Sequence, residues 1–248
     1  LDGVSFDELD RKLQRRISEL EITANIIRAS TPPAVKFNVF ARLNQGGMPL
    51  NAQEIRNAIY PGPWRKKVQQ IAKSRIFLKV TEGKIKTLRQ QDLELVLRFV
   101  SLWQLGVPFQ RQANQTLDDF LNDTVEKTLR HWDESRWLAA AQAFDRALRA
   151  AHSIFDRHVF RKSVGSIDRT PINRGMFEAQ LIVLSAMSDE TIGRLTKMNA
   201  NVKTALRQEL ARYGSPLATS LLYATGSAEA SNTRIKEVRR ILKEAIND

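Results

Sequence analysis

The stretch DESRWLAAAQAFDRALRAAHSIF, residues 133–155, sets the fold class. It reads as one long helix, because alanine has the best helix propensity and small side chains let neighbouring helices approach closely. Two further stretches, Gln90–Leu105 and Met176–Met187, are apolar on most sides, the pattern of helices buried all round. Thr116 caps another helix with Asp118 and Asp119 in its first turn, where the helix dipole favours negative charge. Helices near Thr191, from Asn201 to Arg212 and from Ser231 to Ala245 complete the C-terminal side.

The N-terminal side reads less uniformly. Ser5 and Glu8 fit a capping box, and Leu9, Leu13 and Ile17 form an apolar stripe, so the first helix is expected over Ser5–Leu20. Glu21–Ile27 alternates polar and apolar residues and is the best strand candidate. A helix runs from about Ala34 to Leu43 and ends at Gly46-Gly47. Asn51 opens the next helix, with Glu54 three residues on. After Pro61-Gly62-Pro63 a short helix, Trp64–Lys73, places Trp64, Val68 and Ile71 on one face and Lys66, Lys67, Gln70 and Lys73 on the other. Ile76–Lys86 reads as a small hairpin around Glu82-Gly83 or as an ordered loop.

The expected fold is therefore mostly α: a multi-helix assembly with at most one or two short strands left over from a preceding α/β domain. Two parts are expected, a helical segment over residues 1–125 and a C-terminal helical bundle over 126–248.

The chain has 248 residues, 42% of them hydrophobic, which is enough for a sizeable core. It has no cysteine. Disulfides, thiolate zinc sites and cysteine nucleophiles are excluded, and a reducing, cytoplasmic setting is expected. No apolar run approaches the roughly 20 residues of a bilayer span. The chain opens at Leu1, inside a motif pattern, and is expected to be part of something longer. The net charge of +12 and a pI near 10.2 make DNA the default partner. A basic surface that serves solubility is the other reading. The charge is uneven. Arg65, Lys66, Lys67, Lys73, Arg75, Lys79, Lys84, Lys86 and Arg89 face a single acid, Glu82, between Trp64 and Arg89. A second basic stretch holds Arg157, Arg161, Lys162, Arg169 and Arg174.

Self-sufficient chemistry is missing from the pattern. His131, His152 and His158 lack metal-ligand spacing with one another. There is no phosphate-binding loop and no nucleophile elbow. Glu82-Gly83-Lys84 matches half of a metal-dependent nuclease motif, but the only upstream acid is Glu54, placed on a helix. No catalytic or metal-ligating residue is assigned, and no cofactor is expected in this chain.

The densest polar stretch is FARLNQGGMPLNAQEIRNA, residues 40–58. Arg42, Asn44, Glu54, Arg56 and Asn57 lie on two helix ends facing one turn, a geometry suited to phosphate. A purely structural role fits equally, with Arg42 paired to Glu54 and Asn51 capping. This stretch resembles the signature of the GmrSD-like restriction family, also described as having a ParB/sulfiredoxin-like fold. Residues 89–99, RQQDLELVLRF, resemble the element that follows it in that family. The similarity spans Phe6 to about Leu121. It implies a role in bacterial anti-phage, type IV restriction-like defence, with nucleotide hydrolysis or DNA cleavage carried elsewhere and a nucleotide with magnesium in the complete protein. The family's Asp-Gly-Gln-Gln-Arg motif and its His-Asn-His nuclease domain are both absent here. The signature residues would then border a catalytic pocket mostly outside this chain.

Three functions compete at this level. The first is a helical portion that contacts double-stranded DNA through backbone phosphates, using Arg65, Lys66, Lys67, Lys73 and Arg75. The second is a protein–protein scaffold or homo-oligomer, using the apolar helices at Leu93–Val100 and Phe177–Ala186. The third is a helix-turn-helix reader built from Asn51–Tyr60 and Trp64–Lys73, which the two turn prolines fit poorly.

Overall fold

The computed structural model describes residues 3–24, 26–28, 30–43, 49–165 and 167–246. Among these residues there are thirteen α-helices and no strand, so the chain is a mostly α, multi-helix assembly. The helices are α1 (Arg11–Ser18), α2 (Pro33–Leu43), α3 (Ala52–Ile59), α4 (Trp64–Ala72), α5 (Arg75–Thr81), α6 (Gln91–Trp103) and α7 (Leu117–Lys127). They continue with α8 (Glu134–Phe155), α9 (Arg174–Ser185), α10 (Asp189–Lys197), α11 (Asn199–Ala211), α12 (Pro216–Ser220) and α13 (Ala228–Glu244).

The organising element is α9. Every residue from Met176 to Leu184 is buried, and the helix packs against α6, α8 and α13. The 22-residue α8 then carries α5, α10 and α11 on its remaining faces. Ala140, Ala147 and Ala151 are fully buried along it, so these contacts are made at close backbone distance. At the centre, Phe77 of α5, Phe99 of α6, Phe144 of α8, Phe160 and Phe177 of α9 form a ring cluster with centroids 4.6–6.2 Å apart. Each such ring contributes about 1.5–3 kcal/mol by burial. One continuous core runs from Tyr60 to Ala245, with side chains from both sides of residue 125.

Three local expectations are corrected. Ser5–Leu20 is not one helix. The Ser5–Glu8 capping box is present, but it closes a single 3-10 turn over Phe6–Glu8, and Asp10 then caps α1. The stripe has no core to meet, and α1 buries none of its residues. Glu21–Ile27 holds no strand at its described positions. Ile22 and Ile26 are 82% and 88% exposed, because an alternating pattern without a partner edge cannot satisfy its backbone. Ile76–Lys86 begins as a helix, not a hairpin. Ser74 caps it, and Ile76, Phe77, Val80 and Thr81 share a buried helical face. Glu82 and Gly83, both at positive φ, end it, and Gly83 N–H reaches back to Leu78 O. The end of α2 at Gly46-Gly47 falls outside the described residues.

The two helices considered for an interface, Leu93–Val100 and Phe177–Ala186, spend their apolar positions in this core. Among the described residues no helix is long and apolar enough to cross a membrane.

Candidate nucleic-acid interface

The cations expected to contact DNA lie on or beside two short consecutive helices. Trp64, Val68, Ile71 and Ala72 of α4 are buried, and α4 packs on α6. The Trp64 indole N–H donates to Tyr60 O at 2.9 Å and fixes the entry of the helix. Burial of one face forces the cations onto the other. Lys66 and Lys73 are seven residues apart, hence nearly in phase, and both are exposed. On α5 the buried face leaves Arg75 and Lys79 exposed one turn apart.

The five expected DNA-contacting residues divide in two. Arg65 is half-buried and donates to Asn57 O at 2.8 Å. Lys67 pairs with Glu134 at 2.6 Å, a bridge to the start of α8. Lys66, Lys73 and Arg75 make no ion pair among the described residues. Lys79 and Lys86 are equally exposed and unpaired, and they extend the set.

Two members of the second basic stretch, Arg161 and Arg169, are engaged within the fold. Arg161, only 2% exposed, donates to Thr170 O at 2.6 Å and lies 3.7 Å from Glu82. Arg169 also bonds Glu82, and Lys84 reaches it at 2.7 Å. Three cations thus converge on the end of α5 and tie the 156–173 loop to it. Hydrogen bonds from Lys84 and Arg169 hold the Glu82 carboxyl down to about 2, from an ordinary 4.5. Both oxygens of the half-motif Glu82-Gly83-Lys84 are therefore engaged by cations. Because the folded value lies below the unfolded one, Glu82 stabilises the fold fully above about pH 4.5, and this is lost as pH falls toward 2. Glu82→Gln is expected to melt below the parent at pH 7 and to converge with it by pH 2–2.5. A melting difference that stays constant between pH 5 and 2.5 would refute the linkage.

Of the residues expected to border a pocket, Glu54 and Asn57 join a clasp between residues 49–57 and residues 89–90. Asn51 accepts from Gln53 N and Glu54 N, and Glu54 returns a bond to Asn51 N at 2.7 Å. Glu54 pairs with Arg89 at 3.1 Å, not with Arg42. Arg89 also donates to Pro49 O, and the Asn51 amide donates to Arg89 O, both at 2.7 Å. The Asn57 amide donates to Gln90. Residues 49–57 and 89–90 are thereby brought together. Arg56 is wholly buried and donates to Asp118 at 2.8 Å, Asn122 at 2.7 Å and Gln53 at 2.6 Å. Arg42 is exposed on the last turn of α2, and Asn44 lies outside the described residues.

Among the described residues no group of three His, Cys, Asp or Glu side chains is placed to hold a metal. His158 is buried, and the Nδ1 atoms of His152 and His158 are sealed without hydrogen-bond partners. Compared with protein-family models, curated proteins and solved structures, the chain matches none.

Proposed function

We propose that the chain is the helical, DNA-contacting portion of a bacterial anti-phage, restriction-like defence protein. The observation that carries the DNA contact is that Lys66, Lys73, Arg75, Lys79 and Lys86 are exposed and free of carboxylate partners among the described residues. Buried apolar faces on α4 and α5 hold the helices down and leave these cations nowhere to turn but solvent. Such cations suit backbone phosphates, which fix register without reading sequence. The defence role rests on the resemblance of residues 40–58 and 89–99 to the GmrSD-like elements. On this reading a nucleotide-hydrolysing or nuclease site, with any nucleotide and magnesium, belongs to parts of the protein beyond this chain.

The test is a mobility-shift titration with plain and glucosylated-hydroxymethylcytosine duplexes at two salt concentrations. The parent is expected to bind more weakly as salt rises. The variant Lys66→Glu/Lys73→Glu/Arg75→Glu/Lys79→Glu is expected to lose at least a hundredfold in affinity for every duplex. Its log–log salt slope should fall by about 3–4, near 0.9 per phosphate contact. A preference for the modified duplex would make this portion the sensor. Unchanged affinity in the variant would remove α4 and α5 from the interface. A parent that fails to bind at low salt would leave the scaffold reading.

A further inference from the structure

On another part of the surface, a cleft of about 1550 Å³ lies between the 108–118 segment and α13. It is lined by none of the α4 or α5 cations. Its size exceeds the roughly 300–1,000 Å³ of a small-molecule pocket.

One wall is a stripe of cations. Lys236, Arg239 and Lys243 follow one another at spacings of three and four residues, so they share a face of α13 over about 10 Å of rise. None has an ion pair among the described residues, and one guanidinium nitrogen of Arg239 is sealed from solvent without any hydrogen-bond partner. Arg240 beside them is fully engaged by Glu209, Glu237 and Glu244. The remaining acids of the lining are Asp118, Glu229 and Glu244. Asp118 serves Arg56, Glu244 serves Arg240, and Glu229 lies two helical turns from Lys236.

The cleft wall also holds a buried cation with no carboxylate in contact among the described residues. Arg111 is 4% exposed. Its guanidinium donates only to carbonyls, those of Gly226 at 3.0 Å, Ser227 at 3.3 Å and Gln115 at 2.8 Å, and its Nε has no partner. Asn232 locks it in place through two bonds to the Arg111 backbone, at 3.0 and 3.1 Å. Buried guanidinium groups ordinarily meet a carboxylate, because an unpaired charge in a low dielectric is costly. Arg111 touches none among the described residues; burial lowers its pKa, the charge of Glu178, which it does not touch, opposes that shift, and the Phe120 ring lies 5.3 Å from the guanidinium. An anion in the cleft would place a counter-charge nearer to Arg111.

We infer that this cleft binds a short stretch of single-stranded nucleic acid, its phosphates along Lys236, Arg239 and Lys243 above Arg111, its bases toward the 108–118 segment. A positively charged groove that follows the backbone is one element by which single strands are bound without sequence preference. The exposed amides of Gln110 and Asn114 on the opposite wall suit base edges. The inference stands apart from the duplex-binding face, because the two share no residue.

The test uses the full chain, a labelled oligothymidylate and fluorescence anisotropy. The parent is expected to bind with a salt-dependent affinity. Lys236→Gln/Arg239→Gln/Lys243→Gln is expected to weaken it more than tenfold and to reduce the salt slope by about 2, near 0.7 per contact. Duplex affinity and melting temperature should not move, and the α4–α5 variant should show the converse. The inference is overturned if the parent does not bind oligothymidylate at low salt, or if the glutamine variant binds within twofold of the parent. Displacement by polyglutamate as readily as by unlabelled oligothymidylate would also overturn it, because the cleft would then be a peptide site. If duplex binding is unaffected by the α4–α5 changes while the cleft variant behaves as stated, the duplex reading fails and this one stands.

Discussion

Glu178→Ala is expected to destabilise the fold by about 3–5 kcal/mol, the cost of breaking a buried ion pair from one side. Glu178 and Arg234 are each 1% exposed and meet at 3.2 Å, joining α9 to α13. Glu178 also accepts from Ser231 Oγ at 2.5 Å and lies 3.8 Å from Arg98 of α6. Arg234 has other partners only in the carbonyls of Ser220 and Thr225, at 2.9 and 3.0 Å, and its Nε has none. Removing the carboxylate leaves a whole positive charge in a dry three-helix junction. Urea melts should show a lower midpoint at constant slope. Glu178→Leu/Arg234→Met, which removes both charges, should cost less than Glu178→Ala alone. A single variant costing under 1 kcal/mol would show that the charge is solvated after all. The same junction fixes Gly175: an added Cβ would lie 2.9 Å from Arg234 Cδ and Nε and 3.0 Å from Leu221. Helix propensity favours alanine there by about 1 kcal/mol, so the clash decides the sign, and Gly175→Ala should destabilise.

What could be read in the sequence was what is local. Thr116 and Asn51 act as N-caps, and the apolar face of α4 is buried where its spacing placed it. The segment Ile76–Lys86 misled because Glu82-Gly83 reads as a hairpin turn, yet it ends a helix that Ser74 caps and whose buried positions have helical spacing. Glu21–Ile27 misled in the other direction, since alternation specifies a strand only where an edge waits for it. The site was legible only as composition. The basic run at Arg65–Arg89 was evident, but which of its members are free was not. Lys67 finds Glu134 at a separation of 67 residues, and Arg56 finds Asp118 at 62. The Arg111–Asn232 lock spans 121 residues, so the cleft it builds leaves no periodic trace in the chain.

Arg56→Ala is expected to cost about 2–5 kcal/mol, from the cavity and the buried acceptors it orphans, whereas Arg42→Ala should stay within about 0.5 kcal/mol. The two arginines lie in the same stretch, residues 40–58, but not in one environment. Arg42 is exposed, while Arg56 is 0% exposed and spreads its guanidinium over Asp118, Asn122 and Gln53. Burial lowers the Arg56 pKa, and Asp118 opposes that shift. Truncation would orphan the carbonyl oxygens of Asn122 and Gln53, which are 7% and 1% exposed as residues, and leave a cavity between α3 and α7. Arg56→Lys should recover little, because an ammonium cannot reproduce a fork that serves three acceptors in fixed directions. Thermal melts of the three variants decide it. An Arg56→Ala protein as stable as the parent would mean that the guanidinium is held for a ligand and not for the fold. If the stability falls as expected, DNA binding by the Arg56 variant must be measured well below its melting point. Only then does a loss of affinity report on the interface, and with Arg56 sealed from solvent no direct loss is expected, in contrast to Lys66 and Lys73.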